Sequence, residues 1–310
     1  MVDISPPPTV AGAGFADSQA RSEWRTVLRR FLRHRAAVAG FAMFVLLLLF
    51  AFAGPFVWTA SLDAGGAAKV APSPGHPFGT DRIGHDMLAS VISGTRLSLQ
   101  IALVVALVAT VLGVVLGAVS GYLRGWVDGV ISRVIDLMLC IPALVVTAVL
   151  ARHSFTLAPS AQNASNWLTV ALILALFTSW FPIARTMRGM VLSLREKEFV
   201  EAARALGAST WRIVFRHILP NTVDVIIVNA TVTVAQAVLL ESALSFVNLG
   251  VHRPEASLGL LINENKNELA TLPWLFWFPF VFIVLISLSV NFMGDGLRDA
   301  FDPRQRKVRA

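Results

Sequence analysis

The residues of this chain that could do chemistry are few, and each admits a functional and a structural use. His76-Pro77-Phe78-Gly79-Thr80-Asp81-Arg82-Ile83-Gly84-His85-Asp86 gathers two histidines and two aspartates, donors suited to a divalent cation. The same run carries Pro77, Gly79 and Asp81, the turn residues that would lay the chain back on a surface. Asp136 and Glu241 fall inside or near the ends of apolar runs, where an ionisable group is a functional hypothesis by default, although Arg133, three residues before Asp136, can pair with it. Asn229, Thr233 and Gln236 recur at i, i+4, i+7 with Glu241 beyond them, a polar stripe able to offer hydrogen bonds to a passing solute or to a neighbouring helix. Glu201-Ala202-Ala203-Arg204-Ala205-Leu206-Gly207 is followed nine residues later by His217-Ile218-Leu219-Pro220, in a basic setting of Arg185, Arg188, Arg195, Lys197, Arg204, Arg212 and Arg216. No Gly-x-x-x-x-Gly-Lys-Ser/Thr loop occurs, so the chain does not cradle ATP in the usual way. The single cysteine, Cys140, supplies neither a disulfide framework nor a thiolate metal site.

The elements that must position these groups are membrane spans. Of 310 residues, 55% are hydrophobic and 15% charged, with a mean hydropathy of +0.68, which places the chain among integral membrane proteins. The excess of Lys and Arg (26) over Asp and Glu (19) lies in short runs beside apolar segments, which is topogenic and does not mark a nucleic-acid surface. Six spans are predicted, over Ala36–Trp58, Leu97–Tyr122, Val130–Leu150, Trp167–Met187, Val223–Leu244 and Trp274–Met293, each near the ~20 residues that cross a hydrocarbon core. The first starts too late and runs too long for a cleaved signal peptide. Residues 1–20 read as a disordered tail. In 21–60, a basic amphipathic helix with Trp24, Val27, Leu28, Phe31 and Leu32 on one face, lying on the inner leaflet, precedes the first span. An outer loop fills 61–96, the five-span core 97–294, and a basic tail 295–310. Ala109, Gly113, Gly117 and Gly121, four apart on the second span, let another helix approach closely. Ser245 to Leu272 reads as an irregular outer segment.

With both termini cytoplasmic, the inner segments hold 20 Lys and Arg and the outer segments five, so the loop 195–220 faces the cytoplasm. In it Phe199, Ala202, Ala203 and Leu206 make an apolar face, Gly207 can end the helix in a left-handed cap, Ser209 can cap a second helix bearing Trp211, Val214, Phe215 and Ile218, and Pro220 limits that helix. Such a pair either packs on the leaflet or enters a partner's groove. Lacking an energy source of its own, the chain works with an ATPase on another chain, is an ion-driven carrier, or is a non-transporting membrane scaffold, and carriers usually hold several ionisable groups near the midplane.

The loop resembles the Glu-Ala-Ala (EAA) loop of permease subunits of ATP-binding-cassette importers: Glu201, Ala202, Ala203, Gly207, Leu219 and Pro220 match in register, with His217 and Asn221 as in the peptide-importer branch. His76-Pro77-Phe78-Gly79-Thr80-Asp81, Ser98-Leu99, Gly121-Tyr122 with Gly125-Trp126 and Asp128, Leu244-Ser245-Phe246, and Gly294-Asp295-Gly296-Leu297-Arg298-Asp299 with Asp302-Pro303 are similar to the C-type permease of dipeptide/oligopeptide importers. His85, Val247-Asn248 and Leu258 depart from that pattern. The resemblance implies an all-α type I importer permease in a bacterial cell membrane. It also implies a homologous B-type permease, two ATPase subunits or one fused ATPase, and an extracytoplasmic binding protein as partners, besides membrane lipid. Glu201, Ala202, Ala203, Arg204, Gly207, Trp211, His217, Leu219 and Pro220 would couple to the ATPase, with ATP and Mg2+ held there and no cofactor in this chain. Asn229, Thr233, Gln236 and Glu241 would line the path. The cargo so implied is a peptide, with haem or a nickel complex as the alternatives that the family offers.

Overall fold

The computed structural model describes residues 26–59, 66–157 and 166–301. Within them the regular structure is helical, apart from isolated bridges between Ser73 and His76 and between Thr80 and Asp86. The helices are α1 (residues 26–33), α2 (Arg35–Val57), α3 (Met87–Leu123), α4 (Gly125–Cys140), α5 (Ala143–Leu157), α6 (Asn166–Leu174), α7 (Trp180–Leu194), α8 (Glu198–Ala205), α9 (Thr210–Ile213), α10 (Val223–Phe246), α11 (Leu258–Asn265) and α12 (Trp274–Phe301). The tail expected over 1–20, the first residues of the basic helix and the chain beyond Phe301 lie outside the described residues, as do 158–165 of the loop before the fourth span.

Five helical paths are long and apolar enough to cross a membrane: α2, α3, α6 with α7, α9 with α10, and α12. Counted as one span, α4 with α5 is a sixth, bent by 93°. The sequence predicts one span there. Pro142 breaks it, because proline lacks the N–H for the helical ladder and pushes its predecessor out of the helical region, and Ile141 accordingly sits at φ −93°, ψ 131°. The second span is longer than predicted. Asp86 caps α3 by accepting from Ala89 N at 2.9 Å, so residues assigned to the outer loop are already helical at Met87. At 1.5 Å per residue the 37 residues of α3 reach about 55 Å, well beyond a hydrocarbon core of about 30 Å.

Around α3 the other helices assemble. The stripe Ala109, Gly113, Gly117 and Gly121 is buried against α7. A Cβ on Gly117 would meet Ala184 O at 2.5 Å, one on Gly113 would meet Trp180 O at 2.9 Å, and one on Gly121 would meet Arg188 O at 2.8 Å, so the two backbones touch along about two turns. At the N-terminus α1 gives only part of its apolar face to any lipid. Val27 and Phe31 pack with Ala37 on Met293, Leu297 and Ala300 of α12, while Leu28 and Leu32 stay exposed. The segment predicted to be irregular contains α11, whose Leu258, Leu260, Leu261 and Ile262 are buried among α3, α10 and α12.

Close approach at the glycine stripe predicts opposite outcomes for two similar changes. Gly117→Ala must part α3 from α7 and costs about 1–3 kcal/mol by overpacking. Gly129→Ala, whose Cβ would meet nothing within 4 Å, gains helix propensity of up to ~1 kcal/mol. Thermal unfolding of the detergent-purified protein should rank them in that order, and equal midpoints would remove the close-packing account.

Candidate functional site

The loop 195–220 is built by a short helix, a glycine turn and a run of tightened and widened turns that passes directly into a span. Glu198 and Glu201 occupy the first turn of α8 and Arg204 its last, each sign matched to the partial charge at its own helix end. Gly207 N–H donates to Arg204 O at 3.0 Å and Ala208 N–H to Ala203 O at 3.1 Å, the paired bonds of a Schellman closure, with Gly207 at φ +79°. No atom lies within 4 Å of a Cβ placed on Gly207, so the backbone angle alone calls for glycine here.

The closure decides which face turns inward. Ala208 is drawn back to Ala203, so Val200 and Ala203 are buried with Ala118, Val191, Ile213, Val214 and Ile218. Of the apolar face Phe199, Ala202, Ala203 and Leu206, only Ala203 is turned to the bundle. Phe199 (41% exposed), Ala202 and Leu206 (88%) point to solvent beside Glu201 and Arg204. Trp211 and Phe215 are likewise exposed, and they stack on each other with ring centroids 5.6 Å apart. Ser209 stands at the N-cap of α9, but its hydroxyl makes no capping bond. Pro220 does not separate a second helix from the span. It opens the 3-10 turn Leu219–Thr222, where its missing N–H costs little, and α9, the π-turn Val214–Ile218 and that turn run on into α10. His217 is half-buried and its carbonyl accepts from Asn221 Nδ2 at 2.7 Å, while Leu219 packs on the α7 and α8 clusters.

The polar stripe of α10 is divided by the structure. Asn229 is half-buried and donates to Val225 O, Thr233 is buried and donates to Asn229 O, and Gln236 is exposed. Glu241 is fully buried, apart from any open surface of this chain. Its carboxyl accepts from Ser98 of α3 at 3.1 Å and Ser245 at 2.7 Å. Ser245 Oγ accepts in turn from Val251 N at 3.1 Å and from the Ser257 hydroxyl at 3.2 Å, and Leu258 N donates to Ser98 Oγ at 3.3 Å. One carboxyl therefore gathers α3, α10 and the N-terminus of α11.

The histidines and aspartates of residues 76–86 form two separate pairs. His76 Nδ1 lies 2.8 Å from Asp86, which also accepts from Trp58 Nε1 at 3.0 Å, and His85 Nδ1 lies 2.7 Å from Asp81. Asp81 further accepts from the backbone N–H of Ile83 and His85, and Gly79 and Gly84 both have positive φ, so the turn chemistry is realised. Among the described residues no three His, Cys, Asp or Glu side chains converge as a metal site. Asp136 pairs across helices with Arg185 of α7 and not with the Arg133 expected from spacing.

Sequence spacing also missed the contacts above the loop. Asp128 of α4 accepts a fork from Arg188 of α7, Arg124 meets Glu196 at 2.7 Å, and Arg195 donates to Tyr122 O at 2.7 Å. These partners lie 60 to 73 residues apart, so no local pattern could join them.

Residues 113–307, which include the loop, match the family model described as the binding-protein-dependent transport system inner membrane component. The chain belongs to this family. Residues 22–72 of this transport component match the N-terminal transmembrane domain of oligopeptide transport permease C. The oligopeptide transport system permease protein OppC of Mycobacterium tuberculosis (strain ATCC 25618 / H37Rv) is 40% identical over 285 residues, 91% of this chain and 95% of that protein. OppC of Escherichia coli (strain K12) is 39% identical over 292 residues, 93% of each chain. A putative peptide permease of Brucella suis is 40% identical over 281 residues, 89% of each. Among solved structures, a chain of the inward-facing MetNI methionine ABC transporter superposes with a TM-score of 0.52 at 18% identity, over 70% of this chain and 98% of that one. The chain thus has the fold of an ABC importer permease and is a multi-pass membrane component of a transport system.

The Glu241 hub makes a graded prediction. Glu241→Ala leaves the Ser98 and Ser245 hydroxyls without their acceptor in a buried place, at about 1–3 kcal/mol, whereas Glu241→Gln retains a carbonyl oxygen for them. The thermal midpoint should fall further for alanine than for glutamine. Equal losses would show that the network does not hold α3, α10 and α11 together.

Proposed function

We propose that this chain is the C-type permease of an ATP-driven peptide importer, with both termini cytoplasmic, and that α8 and the turn at Gly207 are where a separate ATPase takes hold. The observation that carries the coupling role is the apolar surface left bare on a charged loop: Phe199, Leu206, Trp211 and Phe215 lie outward while Val200, Ala203, Ile213, Val214 and Ile218 pack the loop on the bundle. An amphipathic helix with exposed anchors fits helix-in-groove recognition. Glu201 and Arg204 would pair with charges at the groove's rim, and Gly207 fixes the angle at which α8 is presented. His217, Leu219 and Pro220 act behind the contact, by joining the loop to α10.

The peptide cargo is supported by relatives of about 40% identity named as oligopeptide permeases. A homologous B-type permease would complete the path, an extracytoplasmic binding protein would deliver the peptide, and ATP with Mg2+ would bind the ATPase subunits, one fused or two separate. Asn229 and Gln236 are the stripe residues available to a solute at the interface of two permeases, where mild hydrogen-bonding groups bind a peptide main chain without trapping it. The inner-leaflet lipid would meet Leu28 and Leu32.

In proteoliposomes holding the complete complex, peptide uptake should require internal ATP and survive collapse of the proton gradient. Leu206→Glu, at a site 88% exposed, should leave the permease pair intact and lower retention of the ATPase on co-purification by about ten-fold or more. Undiminished ATPase binding in that variant would move the docking surface elsewhere.

A further inference from the structure

The corner between α3 and α4 is bound to the corner between α7 and α8 by charges that take no part in the exposed docking surface. Asp128, in the first turn of α4, accepts Arg188 Nε at 2.5 Å and Nη2 at 2.7 Å, one on each oxygen. Ser120 of α3 donates to the same carboxylate at 2.5 Å, and Ser132 of α4 at 3.2 Å. Farther along the two helices Asp136 pairs with Arg185. Below, Arg195 holds the Tyr122 carbonyl and lies over its ring, 5.7 Å from the centroid, while Arg124 holds Glu196.

What else fixes α4 is slight. Ile135 is its one buried residue, and Trp126, Val130, Val134, Leu137 and Leu139 are exposed. In a membrane, apolar contacts of this sort set no register, since lipid tails would serve those side chains equally well. A two-pronged guanidinium–carboxylate pair does set one, because it fixes both distance and orientation.

We infer that Asp128 and Arg188 are positioning residues that make α4 follow the coupling helix. A displacement of α8 passes through the three-residue turn 195–197 into α7, from Arg188 to Asp128, and so along α4 to the bend at Pro142. The bent span is thereby moved from the cytoplasm although it supplies none of the exposed docking residues. This inference rests on the coupling role proposed for α8.

The test uses the reconstituted complex of permeases, ATPase and binding protein, and reads peptide taken up per ATP hydrolysed. Asp128→Asn keeps a side chain that Ser120 and Ser132 can bond but removes the charge. It should assemble at the wild-type yield, keep its basal hydrolysis, and lose transport per ATP by about ten-fold or more. Arg188→Lys, which keeps charge without the fork, should fall between. A merely structural pair would instead lower assembly and leave uptake per ATP in the surviving complexes unchanged, which overturns the inference. Should Asp128→Asn fail to assemble, Asp128→Glu and Arg188→Lys decide: assembled and poorly coupled supports the inference, while normal coupling, or failure of all three to assemble, overturns it. Normal coupling in Asp128→Asn beside an uncoupled Leu206→Glu would overturn this inference alone, whereas a wild-type complex that binds no ATPase overturns the coupling role itself.

Discussion

Backbone contact between α3 and α7 is the constraint on which the rest of the molecule depends. Inside a bilayer the hydrophobic effect does not press one helix on another, so association rests on van der Waals contact and on interhelical hydrogen bonds. The glycines at 113, 117 and 121 supply the contact, and their spacing keeps it on one line for about two turns. That line ends beside the loop, where Gly121 lies against Arg188 O and Val191. Arg188 is the residue that reaches Asp128, and Val191 is part of the floor on which Val200 and Ala203 rest. The placement of the loop is therefore inherited from the stripe.

How much of this the sequence disclosed follows from the range of each interaction. Spans are legible because each needs about twenty apolar residues in a row, and the loop is legible because glycine and amphipathic spacing are local. Cross-helix partners are not. Asp136 has a basic neighbour three residues away, yet Arg185 of another helix takes it, since residues 49 apart in the chain are adjacent once α4 and α7 are packed. The same holds for Glu241, which as a member of a hydrophilic stripe reads as a path residue and in three dimensions serves serines on α3 and α10. Phe199 and Val200 show a subtler limit. Both faces of α8 satisfy helical spacing, and the choice between them is made by the hydrogen bonds beyond Gly207, not by the hydrophobic pattern.

The breaks in the helices have the same local origin and a different legibility. Pro142 could be read as a kink from its missing N–H, though not the 93° that it opens. Pro220 carries the same chemistry and breaks nothing, because it stands at the start of a 3-10 turn where that N–H is not needed. Position within a turn, and not residue type alone, decides whether proline divides a helix.

Polar cross-links also show where the bundle can and cannot deform. At one end Glu241 gathers α3, α10 and the start of α11, and at the other Asp128 gathers α3, α4 and α7. Only α3 belongs to both groups. If each end moves as a unit, rotation of one against the other has to be absorbed between them: by sliding along the glycine stripe, at the π-turn Ala175–Ser179 ahead of α7, or at the bend between α4 and α5. The stripe resists, because its backbones already touch. The π-turn and the proline bend offer the softer response, since in both the regular ladder of hydrogen bonds is interrupted before any load is applied.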